Sequence, residues 1–262
     1  MPRNIVIGIM SNETLREYLK IVLEGGAAAE RQEQGLINSI NKIASKKNPI
    51  TVVSAGATIK GVIGASKMSG LSSLGQEPYT DVIFNLANGD TVNISAKGPT
   101  APSLAGGGLV ALQVLVPDII ERFLAKARAS LAGAGYKHGA KGAPDVFGKI
   151  SAKDSVLILR GNEEMGGPID YMYQGPMDVV AEYSSKKQVT LNGALTPITQ
   201  YAKSHEFYLR ARKRRIDQPV DLKSVDSNGL PLLFGKSPTR GDSGRRIVIA
   251  DRPSGNALLV NI

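Results

Sequence analysis

Hydrophobic and polar residues alternate over residues 81–98, DVIFNLANGDTVNISAKG. The alternation breaks at Asn88-Gly89, the dipeptide most typical of a tight hairpin turn, and resumes beyond it. This pattern predicts two antiparallel strands joined by that turn. Because a tight turn brings the far ends of its strands together, we expect Asp81 and Lys97 to be neighbours. A carboxylate beside an ammonium at a sheet rim is either a metal ligand whose partner orients water or a simple ion pair.

Apolar residues at helical spacing predict three helices in the first half of the chain. Glu30 and Glu33 continue the apolar stripe of the second helix at its N-terminal end. Acids on an inward face indicate a function, although carboxylates in a first turn also complement the helix dipole. The three helices run from an N-cap at 11–13 to about Leu23 before Gly25-Gly26, from within 27–30 to about Ser45, and over Leu109–Leu131 with a kink or division at Pro117.

Shorter apolar runs predict strands, and turn-forming residues predict the connections between them. Residues 55–75, rich in Gly and Ser, are predicted to form a mobile loop or a short strand pair, and 98–108 and 133–148 are predicted to be irregular. A helix is expected over 197–215. The predicted strands are 5–10, 50–53, 156–159, 247–250 and 257–262, with a hairpin of 179–183 and 188–191.

Charge and composition narrow the class of protein. Lysine and arginine total 32 against 23 acids, a net charge of +9, which favours a polyanionic partner such as nucleic acid over a merely basic soluble protein. The chain has no cysteine, so disulfides and thiolate zinc sites are excluded, and with only two histidines the carboxylates are the plausible metal ligands. No apolar run approaches the length of a membrane span, and a cytosolic setting is expected.

Basic residues crowd the end of the helix predicted over 197–215, just after Tyr201, Phe207 and Tyr208. Cations with adjacent aromatic rings suit contact with phosphates and packing against bases. A solvated helix C-terminus favoured by the dipole is the alternative. The candidate nucleic-acid-binding residues are Arg210, Arg212, Lys213, Arg214 and Arg215, together with Arg245 and Arg246.

The predicted order of helix, three strands, helix and strand, with an acid opening the second strand and a lysine closing the third, resembles the core of the PD-(D/E)XK nuclease superfamily. The resemblance covers about residues 27–160. It implies that Asp81 binds the metal, that Lys97 orients or activates the attacking water, and that Glu30, or else Glu33, is the acid of the first helix. The chain departs from the pattern at Ser95, where the family usually has an acid. A serine hydroxyl is a weaker Mg²⁺ ligand than a carboxylate, and both catalytic and degenerate members share this departure.

The resemblance implies an α/β (α+β) restriction-endonuclease-like fold, a central mixed sheet flanked by helices, with a C-terminal extension. Its expected parts are an N-terminal helical arm (1–26), a nuclease-like core (27–160) and a basic extension packed on the core (161–262). The implied function is Mg²⁺-dependent hydrolysis of DNA, with Asp81 and Glu30 as metal ligands and Lys97 and Ser95 completing the catalytic group. The expected partner is nucleic acid, most plausibly double-stranded DNA, and not a membrane.

Two alternatives remain open. Segments such as GGPIDYMYQGPMDVV in the second half resemble phage proteins, so a non-catalytic DNA-binding or virion structural protein on a degenerate nuclease fold is one, with self-association or phage assembly partners. The other is a small-molecule or nucleotide-binding α/β protein that uses the glycine-rich residues 98–108, although the P-loop spacing is absent.

Overall fold

The computed structural model describes residues 12–99, 103–104, 108–135, 143–213, 222–223, 244–253 and 255–262. The strand predicted over 5–10 and the side chains of Arg214 and Arg215 lie outside these residues. The elements, in chain order, are α1 (Asn12–Asn41), β1 (Ile50–Ala55), β2 (Ala57–Lys67), β3 (Val82–Leu86), β4 (Thr91–Lys97), β5 (Ser103–Leu104), α2 (Gly108–Leu115), α3 (Pro117–Gly133), β6 (Val146–Lys149), α4 (Ala152–Arg160), a short 3₁₀ helix (Glu163–Met165), β7 (Tyr171–Gln174), β8 (Ala181–Ser185), β9 (Gln188–Pro197), α5 (Ile198–Ser204), β10 (Tyr208–Lys213), β11 (Leu222–Lys223), β12 (Gly244–Ala250) and β13 (Leu258–Val260).

The first sheet has the strand order β1-β2-β3-β4-β7-β9-β8. Strand β1 also pairs in parallel with β9, so six of these strands form a closed ring, which the sequence analysis did not predict. Helix α1 packs across β2, β3 and β4, and its Leu36, Ile37 and Ile40 join the core of the ring. The fold is therefore mixed α/β, with a large mixed sheet flanked by helices as expected.

We call one end of this ring the site end. The strand directions bring the last residues of β2, β4 and β7 and the first residues of β1, β3 and β9 to this end. The β8–β9 turn also lies there, since Ser185 pairs with Gln188. Helix α1 reaches the same end through Gln32, whose side-chain amide lies within hydrogen-bond distance of Lys97 O and Gly175 O.

The predicted hairpin is confirmed as β3 and β4, with Val82 paired with Ile94 and Phe84 with Val92. Gly89 has φ of 92°, a backbone conformation that residues with a Cβ rarely adopt. The turn therefore fixes the register that brings the two far ends of the hairpin together.

The second sheet has the order β11-β12-β10-β6-β13, with β5 paired with β12. It packs with α2, α3, α4 and α5 around a second core that includes Phe123, Ile158 and Ile249. The helix predicted over 109–131 is confirmed in two pieces, α2 and α3, divided where Pro117 begins α3. Both sheets draw strands from either side of residue 160, so the boundary predicted there does not separate them.

Several predicted elements need correction. Residues 98–108 and 133–148, expected to be irregular, contain β5 and the first residues of β6, respectively. Gly25-Gly26 does not end a helix, because α1 continues through it and through the predicted boundary at residue 26. Two glycines lower helix stability by about 2 kcal/mol, which the buried residues further along α1 offset. Residues 57–67 form a long strand, β2, where a loop or short strand pair was expected.

The apolar run 156–159 is helical rather than a strand, since Ser151 caps the N-terminus of α4 by accepting from the backbone of Asp154. The helix expected over 197–215 ends at Ser204, and β10 follows. In β10 the buried Leu209 and Ala211 alternate with more exposed residues, which is a strand period. Among the described residues, no helix is both long and apolar enough to cross a membrane.

Candidate functional site

Asp81 stands directly before β3 at the site end. Its backbone amide extends the hairpin ladder by donating to Ile94 O at 2.9 Å. Its carboxylate bends across to β4, where Oδ2 accepts from Ser95 Oγ at 3.0 Å, from Ala96 N at 2.7 Å and from Lys97 Nζ at 3.4 Å. The expected proximity of Asp81 and Lys97 is therefore confirmed. No hydrogen bond from a described residue reaches Oδ1 of Asp81.

A second pair of opposite charges lies beside the first. Lys67, the last residue of β2, pairs with Val82 next to Asp81, and its Nζ lies 2.8 Å from Glu33 Oε2 on α1. The Glu33 side chain is 14% exposed and that of Asp81 16% exposed. Two carboxylates and two ammonium groups thus share one end of the ring.

The pKa of Glu33 is raised, mainly because burial disfavours its charged form. The hydrogen bond from Lys67 opposes this shift, while the negative charges of Asp81 and Glu77 add to it. The pKa of Lys67 is raised chiefly by its hydrogen bond to Glu33. The charges of Glu33 and Asp81 therefore act on each other, as the charges of paired metal ligands or acid–base groups do.

The structure separates the two acids predicted on the helix. Glu33 is half-buried and faces the Asp81 group, whereas Glu30 is exposed and its charge acts on Lys67. Glu77 is also exposed. The side chain with the environment of a site acid is therefore Glu33, the second choice of the sequence analysis.

Gln32 is a residue that the sequence analysis missed. Its buried Nε2 lies 3.1 Å from Lys97 O, 2.8 Å from Gly175 O and 3.2 Å from Pro176 O. It therefore joins α1 to the adjacent ends of the parallel strands β4 and β7. Its position four residues before the buried Leu36, on the inward face of the helix, was the available clue.

Two carboxylates of this group have the chemistry of ligands for a divalent cation. Carboxylate oxygens are preferred ligands of Mg²⁺, and Asp81 Oδ1 and the Glu33 carboxylate supply such oxygens. Within the described ranges, no three acidic or histidine side chains are grouped closely enough to form a metal site by themselves. Asp81 Oδ1 and the Glu33 carboxylate are therefore the oxygens available to a cation here, and each of the two acids already has a lysine beside it.

Four of the predicted nucleic-acid-binding arginines, Arg210, Arg212, Arg245 and Arg246, lie on described strands of the second sheet, and Arg210 and Arg245 contact Asp145. Arg210 donates to Asp145 Oδ2 through Nε at 2.8 Å and Nη2 at 2.6 Å, and its guanidinium lies over the Phe147 ring. Arg245 is 4% exposed and contacts Asp145 Oδ1 and Ala143 O. Burial lowers the pKa of Arg245 and Asp145 opposes that shift. These two arginines are therefore part of the packing of this sheet.

The two other described arginines of that prediction lie on neighbouring strands. Arg212 on β10 stands opposite Arg246 on β12, and Lys213 stands opposite Arg245. The structure does not bring these residues into the Asp81 group, which lies on the first sheet.

Comparison of the chain with protein-family models, with curated proteins and with solved structures found no match.

Proposed function

We propose that the site end hydrolyses phosphodiester bonds in DNA with one divalent cation, Mg²⁺. The observation that carries this proposal is the meeting of Asp81, Ser95 and Lys97 within hydrogen-bond range, with Glu33 facing them. A bound cation supplies neutralisation of the charge that develops on the phosphate. Asp81 and Glu33 would hold it.

The residues of the chain have separate tasks in this proposal. Ser95 Oγ and the backbone amide of Ala96 orient the Asp81 carboxylate through Oδ2, leaving Oδ1 for the cation. The Lys97 ammonium donates to the attacking water or to a phosphate oxygen and offsets its charge. Glu33, whose carboxylate is paired with Lys67, would be the second carboxylate ligand of the cation.

We also propose that part of the first sheet corresponds to the PD-(D/E)XK core. The corresponding elements would be α1, β2, β3, β4 and then β7 in place of the run 156–159. The pair α2 and α3 follows β4 in the chain as the family helix does, but it packs on the second sheet. The parallel pairing of β7 with β4 supports this match. Strands β1 and β9, which close the ring, are additional to the family pattern, so the functional proposal rests on the site rather than on the sheet.

The test is nicking of supercoiled plasmid in Mg²⁺ by the wild type and by Asp81→Asn. We expect the substitution to slow nicking by at least about a hundredfold, because a cation ligand contributes several kcal/mol to the transition state. Asp90→Asn is the matched control, since Asp90 is an exposed acid at the turn of the same hairpin. Equal nicking rates for the wild type and Asp81→Asn would contradict the assignment of Asp81 as a cation ligand.

A non-catalytic DNA-binding or virion structural role is the second candidate. Lys97 and Lys67 already stand beside Asp81 and Glu33, at 3.4 and 2.8 Å, so the group is electrically balanced without a cation. This candidate predicts salt-sensitive DNA binding with no nicking in Mg²⁺ or Mn²⁺.

A further inference from the structure

Five exposed lysines lie together at the site end, in positions that the candidate site does not use. They are Lys42, Lys46, Lys47, Lys186 and Lys187, which we call the lysine surface. None of them forms an ion pair with a described residue. Their charges are therefore available to an external partner.

Two segments about 140 residues apart in sequence are held together to make this surface. Asn48 Nδ2 lies 2.8 Å from Ile43 O and 2.8 Å from Lys186 O, so its amide joins the end of α1 to the β8–β9 turn. The backbone amide of Thr51 donates to Lys187 O at 2.8 Å. The two lysine pairs thus sit on segments joined by hydrogen bonds.

The remaining lysine is placed by an aromatic ring. Lys42 Nζ lies 4.5 Å from the centroid of the Tyr183 ring, and Tyr183 OH donates to Ser39 O at 3.1 Å. These contacts join β8 to α1 and hold Lys42 on the same side of the molecule as the β8–β9 turn.

These segments carry a clear excess of positive charge. Residues 38–53 and 180–190 contain five lysines and one acid, Glu182. Like charges on neighbouring positions repel each other, and the described contacts contain no counter-charge that offsets this repulsion. A polyanion would offset it.

The surface and the Asp81 group share the site end and helix α1. Lys42 directly follows α1, its backbone amide donating to Asn38 O, and it lies nine residues after Glu33, which is about 14 Å along the helix axis at 1.5 Å per residue. Phosphates of one DNA strand recur about every 3.4 Å along the duplex axis, so this separation matches about four nucleotides.

We propose that the lysine surface binds the phosphate backbone of DNA and directs it to the Asp81 group. The choice of DNA as the polyanion rests on the proposed function. An anionic membrane fits less well, because membrane-surface segments also present large apolar side chains. The large hydrophobic side chains exposed in the described part of the chain are Leu71, Val110, Val114, Leu157, Val180 and Leu259, and Val180 alone among these lies within residues 38–53 or 180–190.

The experiment measures binding of a fluorescently labelled 30-base-pair duplex by anisotropy, in EDTA, over a series of KCl concentrations. Each phosphate contact contributes about 0.9 to the slope of log affinity against log salt. Replacing Lys46, Lys47, Lys186 and Lys187 with alanine should therefore reduce the slope by about 3 to 4 and weaken binding at least about tenfold in low salt. The matched control removes the same number of positive charges from the helices that pack on the second sheet, by replacing Arg122, Lys126, Lys153 and Lys203 with alanine. This control should keep the wild-type slope of log affinity against log salt.

Three results would overturn the inference: no duplex binding by the wild type, an unchanged slope in the lysine variant, or an equal loss in the control. Loss of binding to phosphatidylserine vesicles with unchanged duplex binding would also overturn it, in favour of a membrane. Should the fourfold variant fail to fold, Lys186→Gln with Lys187→Gln gives the same test with about half the change in slope. Because EDTA removes the cation, a failure of the nuclease proposal leaves this result unaffected.

Discussion

Asp81 and Glu33 are two neighbouring carboxylates in different environments. Asp81 accepts hydrogen bonds from Ser95, Ala96 and Lys97, all through one oxygen. Glu33 has a lysine partner as well, but burial and the charge of Asp81 outweigh it and raise the Glu33 pKa. Pairs of acids whose environments differ in this way are suited to different roles in one reaction.

The raised pKa of Glu33 has a consequence for stability. A folded state with a raised carboxyl pKa binds the proton more tightly than the unfolded state does. The resulting stabilisation is full below the unfolded pKa, near 4.5, and is lost as pH rises through the folded pKa. Glu33→Gln removes the buried ionisable carboxyl and with it this loss of stability at higher pH. In metal-free buffer we therefore expect the Tm of the variant to exceed that of the wild type at pH 7 and to match it at about pH 3.5.

Glu30→Gln is the control for that measurement, because Glu30 is an exposed acid one turn away on the same helix. Its Tm should follow the wild type at both pH values. A Glu33→Gln protein less stable than the wild type at pH 7 would mean that the Lys67 ion pair outweighs burial.

Sequence reasoning at this scale found Asp81, Ser95 and Lys97 together, because a hairpin turn fixes which residues meet. It ranked Glu30 above Glu33. The rotation of a helix relative to a sheet depends on packing, and hydrophobic periodicity shows which residues face the sheet only to within about one turn. It took Arg210 and Arg245 for phosphate contacts, whereas Asp145 pairs with both. Asp145 lies 65 residues from one and 100 from the other, a separation at which no local pattern operates.

Helices and strands were predictable where the sequence pattern of neighbouring residues is enough to determine them. The hairpin of β3 and β4, the division at Pro117 and the strand β1 all follow from short-range rules. Gly25-Gly26 predicted the end of a helix, but packing further along α1 overrides the low helix propensity of glycine. The run 156–159 predicted a strand, but the cap at Ser151 begins a helix there. The element that matters most to the site is α1, whose placement depends on the buried amide of Gln32.

Gln32→Ala should destabilise the protein by about 1–3 kcal/mol, because it leaves backbone carbonyls at the ends of β4 and β7 without a donor. Alanine has the higher helix propensity, so the loss cannot come from α1 itself. Urea unfolding at pH 7 measures the change, and a Tm lower by about 2–4 °C for each kcal/mol should accompany it.

The control is Gln34→Ala on the same helix, where the amide is exposed and reaches only Asn38 Oδ1. Its effect should stay within about 0.5 kcal/mol. Similar losses from the two substitutions would show that Gln32 does not anchor the helix.

At the scale of the whole molecule, closure of the first sheet brings the functional features together. The parallel pairing of β1 with β9 joins segments about 140 residues apart and so lies beyond any sequence window. It places the first residues of β9, and with them Lys186 and Lys187, at the end of the ring that holds Asp81. The sequence analysis therefore predicted a mixed sheet with helices but did not predict the closed ring or the lysine surface.

The most direct test of the site is calorimetric titration of the protein with Mn²⁺ in place of Mg²⁺. If Asp81 and Glu33 hold one cation, the wild type and Asp90→Asn should bind one Mn²⁺ ion at this site, and Asp81→Asn and Glu33→Gln should each bind it at least about tenfold more weakly, a loss of about 1.4 kcal/mol. Equal affinity in the wild type and Asp81→Asn, or no binding by the wild type, would contradict a cation site at this end of the ring.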